Sequence, residues 1–179
     1  MTIGEGLFAQ NAGTDSQSGS YKLGDTGPAG GLIFYDKGVF SEGWRYLEAA
    51  PEGTDFTAKW GAYRQNVAGT GTTVGSGKRN TQLIVDRLKQ LGENDRAAQI
   101  CTGLEINGFK DWFLPCKEEL DFMYKNLKQK GLGGFGNVWY WSSSQNSNGG
   151  AWVQYFSRGR QLSYRKNYSL SVRAIRAFE

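Results

Sequence analysis

The chain contains no histidine. That removes at once the commonest general base and the commonest metal ligand. Of the remaining nucleophiles, Cys101 and Cys116 could form one disulfide or stay as two thiols. Buried free thiols are the favoured reading, because cysteine is among the most often buried residue types. Without a histidine partner neither is activated for attack. The acids Glu118, Glu119 and Asp121 follow Pro115 at a helix start, where they complement the helix dipole without any catalytic role.

Two glycine-rich stretches approach phosphate-binding loops, and both fail. GLGGFG (131–136) has the Gly-x-Gly-x-x-Gly spacing, but it follows a helical pattern and opens no helix. GTTVGSGKRN (71–80) has its first glycine misplaced, and Arg79 stands where a magnesium-binding Ser or Thr belongs. No cysteine- or histidine-rich metal spacing exists, and no EF-hand loop is present, although an oxygen-ligand calcium site stays open. The sequence therefore predicts no catalytic residue, no cofactor and no metal site. It does not read as an enzyme.

Charge is divided along the chain. Residues 1–121 hold twelve Lys/Arg and sixteen Asp/Glu, whereas residues 122–178 hold nine Lys/Arg and no acid. A basic C-terminal third is compatible with an anionic or nucleic-acid partner; a solvated basic face is the plainer account, and nucleic acid is the weaker expectation. No run reaches the ~18 apolar residues of a membrane span, so no membrane insertion is expected. The first residues, MTIGEGLFAQNAGTDSQSGS, carry no recognisable secretory signal.

The elements that must position any binding groups follow from periodicity. Residues 1–24 are rich in Gly, Ser, Thr and Asn and are expected to form a flexible arm, leaving 25–179 as one domain. GGLIFYD (30–36) and WRYLEAA (44–50) predict two strands with a turn around Gly38 and Gly43. Residues 49–78 have no sustained period and read as a long structured loop carrying Trp60. A first helix is expected after Asn80 as its cap, with Ile84, Leu88 and Leu91 on one face and Gly92 as its stop. A second opens at Asn94 and runs through Ala97, Ala98 and Cys101. A third covers 116–129, with Leu120, Met123, Tyr124 and Leu127 as its core stripe. Strands then helices then strands predict an α+β domain whose ends meet in one antiparallel sheet.

The segment 139–178 mixes apolar anchors with Ser, Gly, Arg, Tyr and Asn. In AWVQYFS, alternation puts Trp152, Gln154 and Phe156 on one face, and Val153, Tyr155 and Ser157 on the other. The expectation is that Trp152 and Phe156 anchor the core while Val153, Tyr155 and Ser157 face outward. SVRAIRAF closes the chain as another strand.

GDTGPAGGLIFYDKG, GWRYLEAAP, AAQICTGLEINGFKDWFLPCKEELDFMY, YWSSSQN, AWVQYF and VRAIRAF occur in that order. Together they resemble the C-type lectin-like domains of the formylglycine-generating-enzyme type, from about Gly24 to Phe178. Within that group, the C-terminal segment resembles the variable proteins of diversity-generating retroelements, in which adenine-directed errors scatter Asn codons while the intervening codons persist. The resemblance implies a fixed frame of Trp141, Ser142, Ser143, Gln145, Trp152, Gln154, Phe156, Gly159, Gln161, Lys166, Val172, Arg173, Ala174, Arg176 and Phe178. It implies that ligand contacts come from the positions between: Ser147, Gly149, Gly150, Val153, Tyr155, Ser157, Arg158, Arg160, Leu162, Ser163, Tyr164, Arg165, Asn167, Tyr168, Leu170 and Ser171.

Asn codons changed only at adenines cannot encode Lys, Glu, Gln, Met or Trp, and none of these stands at a free position. Those residue types are sparse enough throughout the chain that agreement carries little weight. On this reading the partner is a macromolecule, most simply a protein, contacted by Tyr155, Tyr164 and Tyr168 with Arg158, Arg160 and Arg165. The scaffold is expected to be a monomer displayed on a cell surface or virion. The alternative is an invariant lectin-like surface adhesin without diversification. Three departures stand out. Cys116 occupies a helix-capping position where Ser is common in the family; the calcium-dependent sugar-binding tripeptides of true lectins are missing; and nothing matches the paired-cysteine site of the formylglycine-generating enzymes.

Overall fold

The aromatic and β-branched runs at the two ends of the chain form strands, and the helical stripes lie between them. A computed structural model describes residues 20–179. The chain order is β1 (Leu32–Ser41), β2 (Trp44–Ala49), β3 (Phe56–Lys59), α1 (Gly77–Gln90), α2 (Ala97–Gly103), α3 (Lys117–Asn126), a 3-10 turn (Lys128–Lys130), β4 (Trp139–Gln145), β5 (Gly150–Tyr155), β6 (Arg160–Arg165), β7 (Ser169–Val172) and β8 (Ile175–Phe178). One antiparallel sheet has the order β1-β2-β8, so the first and last strands flank β2; the second has the order β3-β7-β4-β5-β6. The second sheet is mixed, because β4 and β7 run parallel at Tyr140 and Ser171. The fold is α+β.

The first hairpin turns later than the sequence predicts. β1 continues to Ser41, and the turn is made by Glu42 and Gly43, both at positive φ (54° and 79°). Two left-handed residues in succession give the turn twist that matches paired strands. Gly38 instead marks an irregularity inside β1, where its N–H donates to Asp36 Oδ1 at 2.7 Å.

α1 begins at Gly77, a turn before the expected Asn80 cap. Asn80 is buried and bonds across the fold: Oδ1 accepts Gly71 N–H, while Nδ2 donates to Gly71 O and Ser143 Oγ. Gly77 has no room for a side chain, since a Cβ there would lie 2.1 Å from Glu119 Oε2. α2 begins after Arg96, two residues beyond Asn94. α3 starts after Cys116, whose N–H donates to Glu119 Oε2 at 2.7 Å. The reciprocal half of a capping box is thus made by Glu119, and the cysteine does not break the cap. Its thiol donates instead to Thr73 O at 3.1 Å.

Two apolar clusters fill the interior. Ile84, Leu88, Ala97, Ala98 and Cys101 pack with Trp60, Trp141, Val153 and Val172. Leu120, Met123, Tyr124 and Leu127 pack with Phe34, Leu47, Tyr140, Phe156 and Ile175. β5 is therefore covered on both faces, which corrects the expected inside and outside. Gln154 and Phe156 are buried as expected, but Val153 is buried too, at 1% exposure. Trp152 is only half-buried, with Lys117 Nζ 3.6 Å from its ring centroid.

SVRAIRAF is two strands rather than one: β7 ends at Val172 in the larger sheet, and β8 begins at Ile175 in the smaller. Arg173 and Ala174 cross between them, both buried. Most of the expected arm, residues 1–19, lies outside the described residues. Its last residues are seated: Tyr21 packs edge-on against Tyr46 and Phe178, and Gly24 N–H donates to Ile33 O.

Candidate ligand-binding surface

Strand pairing builds this surface. Across β4, β5 and β6 the register aligns Trp139, Tyr155 and Arg160 in one row and Trp141, Val153 and Leu162 in the next; Ala151 faces Tyr164. Because side chains alternate, all of these lie on one sheet face. Its inner part, Trp141, Val153 and Ala151, is core; its outer part is half-exposed. There Trp139 stacks on Tyr155 with centroids 4.9 Å apart and on Tyr164 at 6.4 Å, and Tyr164 meets Tyr168 edge-on at 5.2 Å. Tyr168 is 47% exposed. The result is a continuous aromatic ridge, flanked by Leu162 and by Leu170 of β7 and Phe56 of β3, which pack against the same cluster.

The expected contact positions divide by burial. Ser147, Ser157, Arg158, Arg160, Ser163, Arg165, Asn167 and Tyr168 are exposed, while Gly149, Tyr155, Leu162, Tyr164, Leu170 and Ser171 are half-buried. Val153 and Gly150 are buried and are not display positions. At Gly150 a Cβ would come within 2.4 Å of Ser163 Oγ, so any larger residue requires that hydroxyl to move. Trp139 and Phe56 also belong to this region and were not anticipated. Trp139 shares the alternation phase of Trp141, a signal present in the sequence. Phe56 comes from a strand distant in the chain, and no local pattern links it to the surface.

The basic and polar frame residues are held by partners across the fold. Lys166 Nζ donates to Gln145 Oε1 at 2.6 Å and Gln65 O at 3.1 Å, and lies over the Trp60 ring. Burial lowers its pKa to about 8. Arg173 pairs with Asp55 and donates to Ala50 O and Gly133 O. Asp55 also accepts the Tyr140 hydroxyl at 2.5 Å, and burial followed by this carboxylate pushes the phenol well above its usual range. Arg176 donates to both oxygens of Asp111, at 2.9 and 3.1 Å, and to Glu48. Gln154 donates to Asp121, and Gln161 to Lys117 O. By contrast, Arg158, Arg160 and Arg165 are exposed, and they make no ion pair among the described residues.

Chemistry is sparse elsewhere. Cys101 and Cys116 are both free and buried, and burial drives both thiols far above their ordinary pKa, leaving them protonated and unreactive. Glu119 is buried against backbone donors, and desolvation raises its pKa. Among the described residues, no group of three His, Cys, Asp or Glu side chains is placed to hold a metal. No described helix is long and apolar enough to cross a membrane.

Fold and surface together define an α+β domain with an aromatic sheet face, exposed arginines along the edge strand β6 and the turn before it, and a separate set of buried, hydrogen-bonded polar residues. No family model matches the chain, and no curated protein does. A solved structure that it resembles is a fimbrial protein from Bacteroides ovatus, with TM-score 0.54 and 13% identity over 75% of this chain. The match covers 36% of the fimbrial chain, so this chain spans about a third of that protein's length. At that identity the likeness is one of fold.

Proposed function

We propose that the domain is a ligand-binding variable protein of the C-type lectin-like class, displaying diversified side chains on a fixed scaffold, with a protein as its target. The observation that carries this reading is the division among the basic residues of the last third. Lys166, Arg173 and Arg176 are buried with specific partners, whereas Arg158, Arg160 and Arg165 are exposed without them. A surface that changes between copies needs its variable residues free of structural duty, since exposed substitutions cost within about 0.5 kcal/mol while loss of a buried partner costs far more. The ridge of Trp139, Tyr155, Tyr164 and Tyr168 beside those arginines has the composition of binding hot spots.

The burial of Val153 favours the rival reading, an invariant lectin-like surface adhesin, at that one position. Sequencing copies of the gene from sibling isolates separates the two. On the display reading, positions 158, 160 and 165 differ between copies while 166, 173 and 176 persist. Variation spread evenly over both groups, or confined to residues before 24, overturns it.

A further inference from the structure

We propose that the partner engages this surface with an acidic, extended peptide segment laid along the free edge of β6. This rests on the display reading above and adds the chemistry of what is bound. β6 is the last strand of its sheet, paired with β5 from Gly150↔Arg165 to Tyr155↔Arg160, and among the described residues no strand lies on its other side. Alternate backbone N–H and C=O groups along it therefore point outward, a template for one more strand. Apart from Arg165 O, which accepts Tyr168 N–H, no turn or side-chain hydrogen bond among the described residues covers them. Main-chain pairing of this kind gives affinity without demanding one sequence.

Charge selects the segment. Arg160 and Arg165 stand at the two ends of β6, and Arg158 in the turn before it, all exposed. No acidic residue occurs between Phe122 and Phe178. Asp121, linked to the neighbouring strand through Gln154, is engaged by that side chain and by Lys125. A carboxylate approaching β6 meets guanidinium groups that make no ion pair among the described residues. The same arginines put several positive charges along any pairing of two β6 edges, which disfavours self-association and favours an acidic strand.

The end of the strand offers a seat. Ser163, Tyr164, Arg165 and Tyr168 line a basin of about 400 Å³. Two aromatic walls can cover the methylene stem of a Glu side chain, while the guanidinium and the hydroxyl groups donate to its carboxylate.

The test is a phage-displayed library of random short peptides, panned in parallel on the protein and on the R160S/R165S double variant. Neither arginine side chain makes an ion pair among the described residues, and circular dichroism verifies that the variant folds. The expected result is enrichment of Asp- and Glu-rich clones that bind the double variant about tenfold or more weakly. A synthetic peptide from the leading clone should then shift the NMR amide signals of Arg160–Arg165 and slow exchange of the outward-facing amides. Clones without acidic bias, or acidic clones indifferent to the two substitutions, overturn the proposal. So does a backbone N-methylated peptide that binds equally well, since strand pairing would then contribute nothing. A heparin fragment that binds β6 as tightly as the peptide overturns it in favour of a general polyanion surface. These outcomes are independent of whether sibling copies vary, so the display reading can fail or stand separately.

Discussion

The ammonium of Lys166 lies 2.6 Å from Gln145 Oε1 and 4.4 Å from the centre of the Trp60 ring. One buried cation thus joins the residue after β6, the end of β4 and the loop that follows β3. Trp60 and Gly61 also donate their N–H groups to Lys166 O. The end of β6 is tied to β4 and to the loop after β3 by this residue, so its protonation bears on the stability of that edge of the sheet.

The first prediction concerns pH. The folded pKa of Lys166 is depressed from 10.5 to about 8, chiefly by burial. Between those values the unfolded chain binds more protons than the folded one, so stability rises with pH. Below about pH 8 the charged form carries its full desolvation cost. Urea midpoints of the parent and of Lys166→Met, measured across this range, should show the parent gaining on the variant as pH climbs. A constant difference would mean that Lys166 titrates normally in the folded protein.

The second prediction follows from the two covered faces of β5. Val153→Ser places a hydroxyl in the cluster around Trp60 and Trp141, and should cost about 2–4 kcal/mol through lost packing and polar burial. Trp152→Ala should cost less, about 1–2 kcal/mol, because the ring is half-exposed and loses mainly its contact with Lys117. The combined replacement of Arg158, Arg160, Arg165 and Tyr168 by Ser should leave the melting temperature nearly unchanged. Thermal unfolding of the three proteins gives the order; a harmless Val153→Ser would reverse the assignment of faces.

Where the signal was local, the sequence could be read. The stripes of Ile84 and Leu88, and of Leu120, Met123, Tyr124 and Leu127, recur within a helical turn and lie in the two cores. Asn80 resembles a helix cap because capping preference is local, but its partners are Gly71 and Ser143. Alternation in AWVQYFS identified which residues share a face. It could not say that the opposite face is also covered, because that cover comes from Trp60 and the helices. SVRAIRAF reads as one strand since nothing local marks the crossing; Arg173 leaves the strand to reach Asp55, more than a hundred residues earlier. For the candidate surface, exposure of the three arginines and of Tyr168 was legible, whereas Tyr155 and Tyr164 are half-buried in the stack with Trp139. The neighbours from β3 and the free edge of β6 depend on strand order, which no single segment encodes.

A third prediction concerns the loop before α1. Glu119 is fully buried and accepts N–H bonds from Cys116 at 2.7 Å, Gly75 at 2.8 Å and Gly77 at 3.4 Å. The sequence reading gave it only a dipole role at the helix start. Glu119→Ala leaves those donors unsatisfied in a buried place and should cost about 2–4 kcal/mol. Hydrogen exchange at Gly75 and Gly77 should accelerate more than at the β5 amides. Uniform acceleration would show global destabilisation without a specific loss of the loop.

The last prediction concerns Arg176, which belongs to the conserved-frame set that the family resemblance implies. Its guanidinium binds both oxygens of Asp111 and one of Glu48, and its plane lies over Phe109 with the guanidinium carbon 4.1 Å from the ring centre. Glu48 in turn accepts the N–H groups of Ala29 and Gly31, so one cation secures both the loop before β1 and the segment between α2 and α3. Removing it leaves the fully buried Glu48 without its positive partner, a change that typically costs about 3–5 kcal/mol. Arg176→Met should therefore destabilise strongly. Lys should rescue only in part, because a single ammonium cannot reproduce the two-oxygen grip on Asp111 while also reaching Glu48. Arg176→Met combined with Glu48→Gln should recover part of the loss, since the uncompensated charge is then gone. Denaturant unfolding of the two single variants and the double variant measures the coupling; strict additivity would mean that the two residues do not act as a pair.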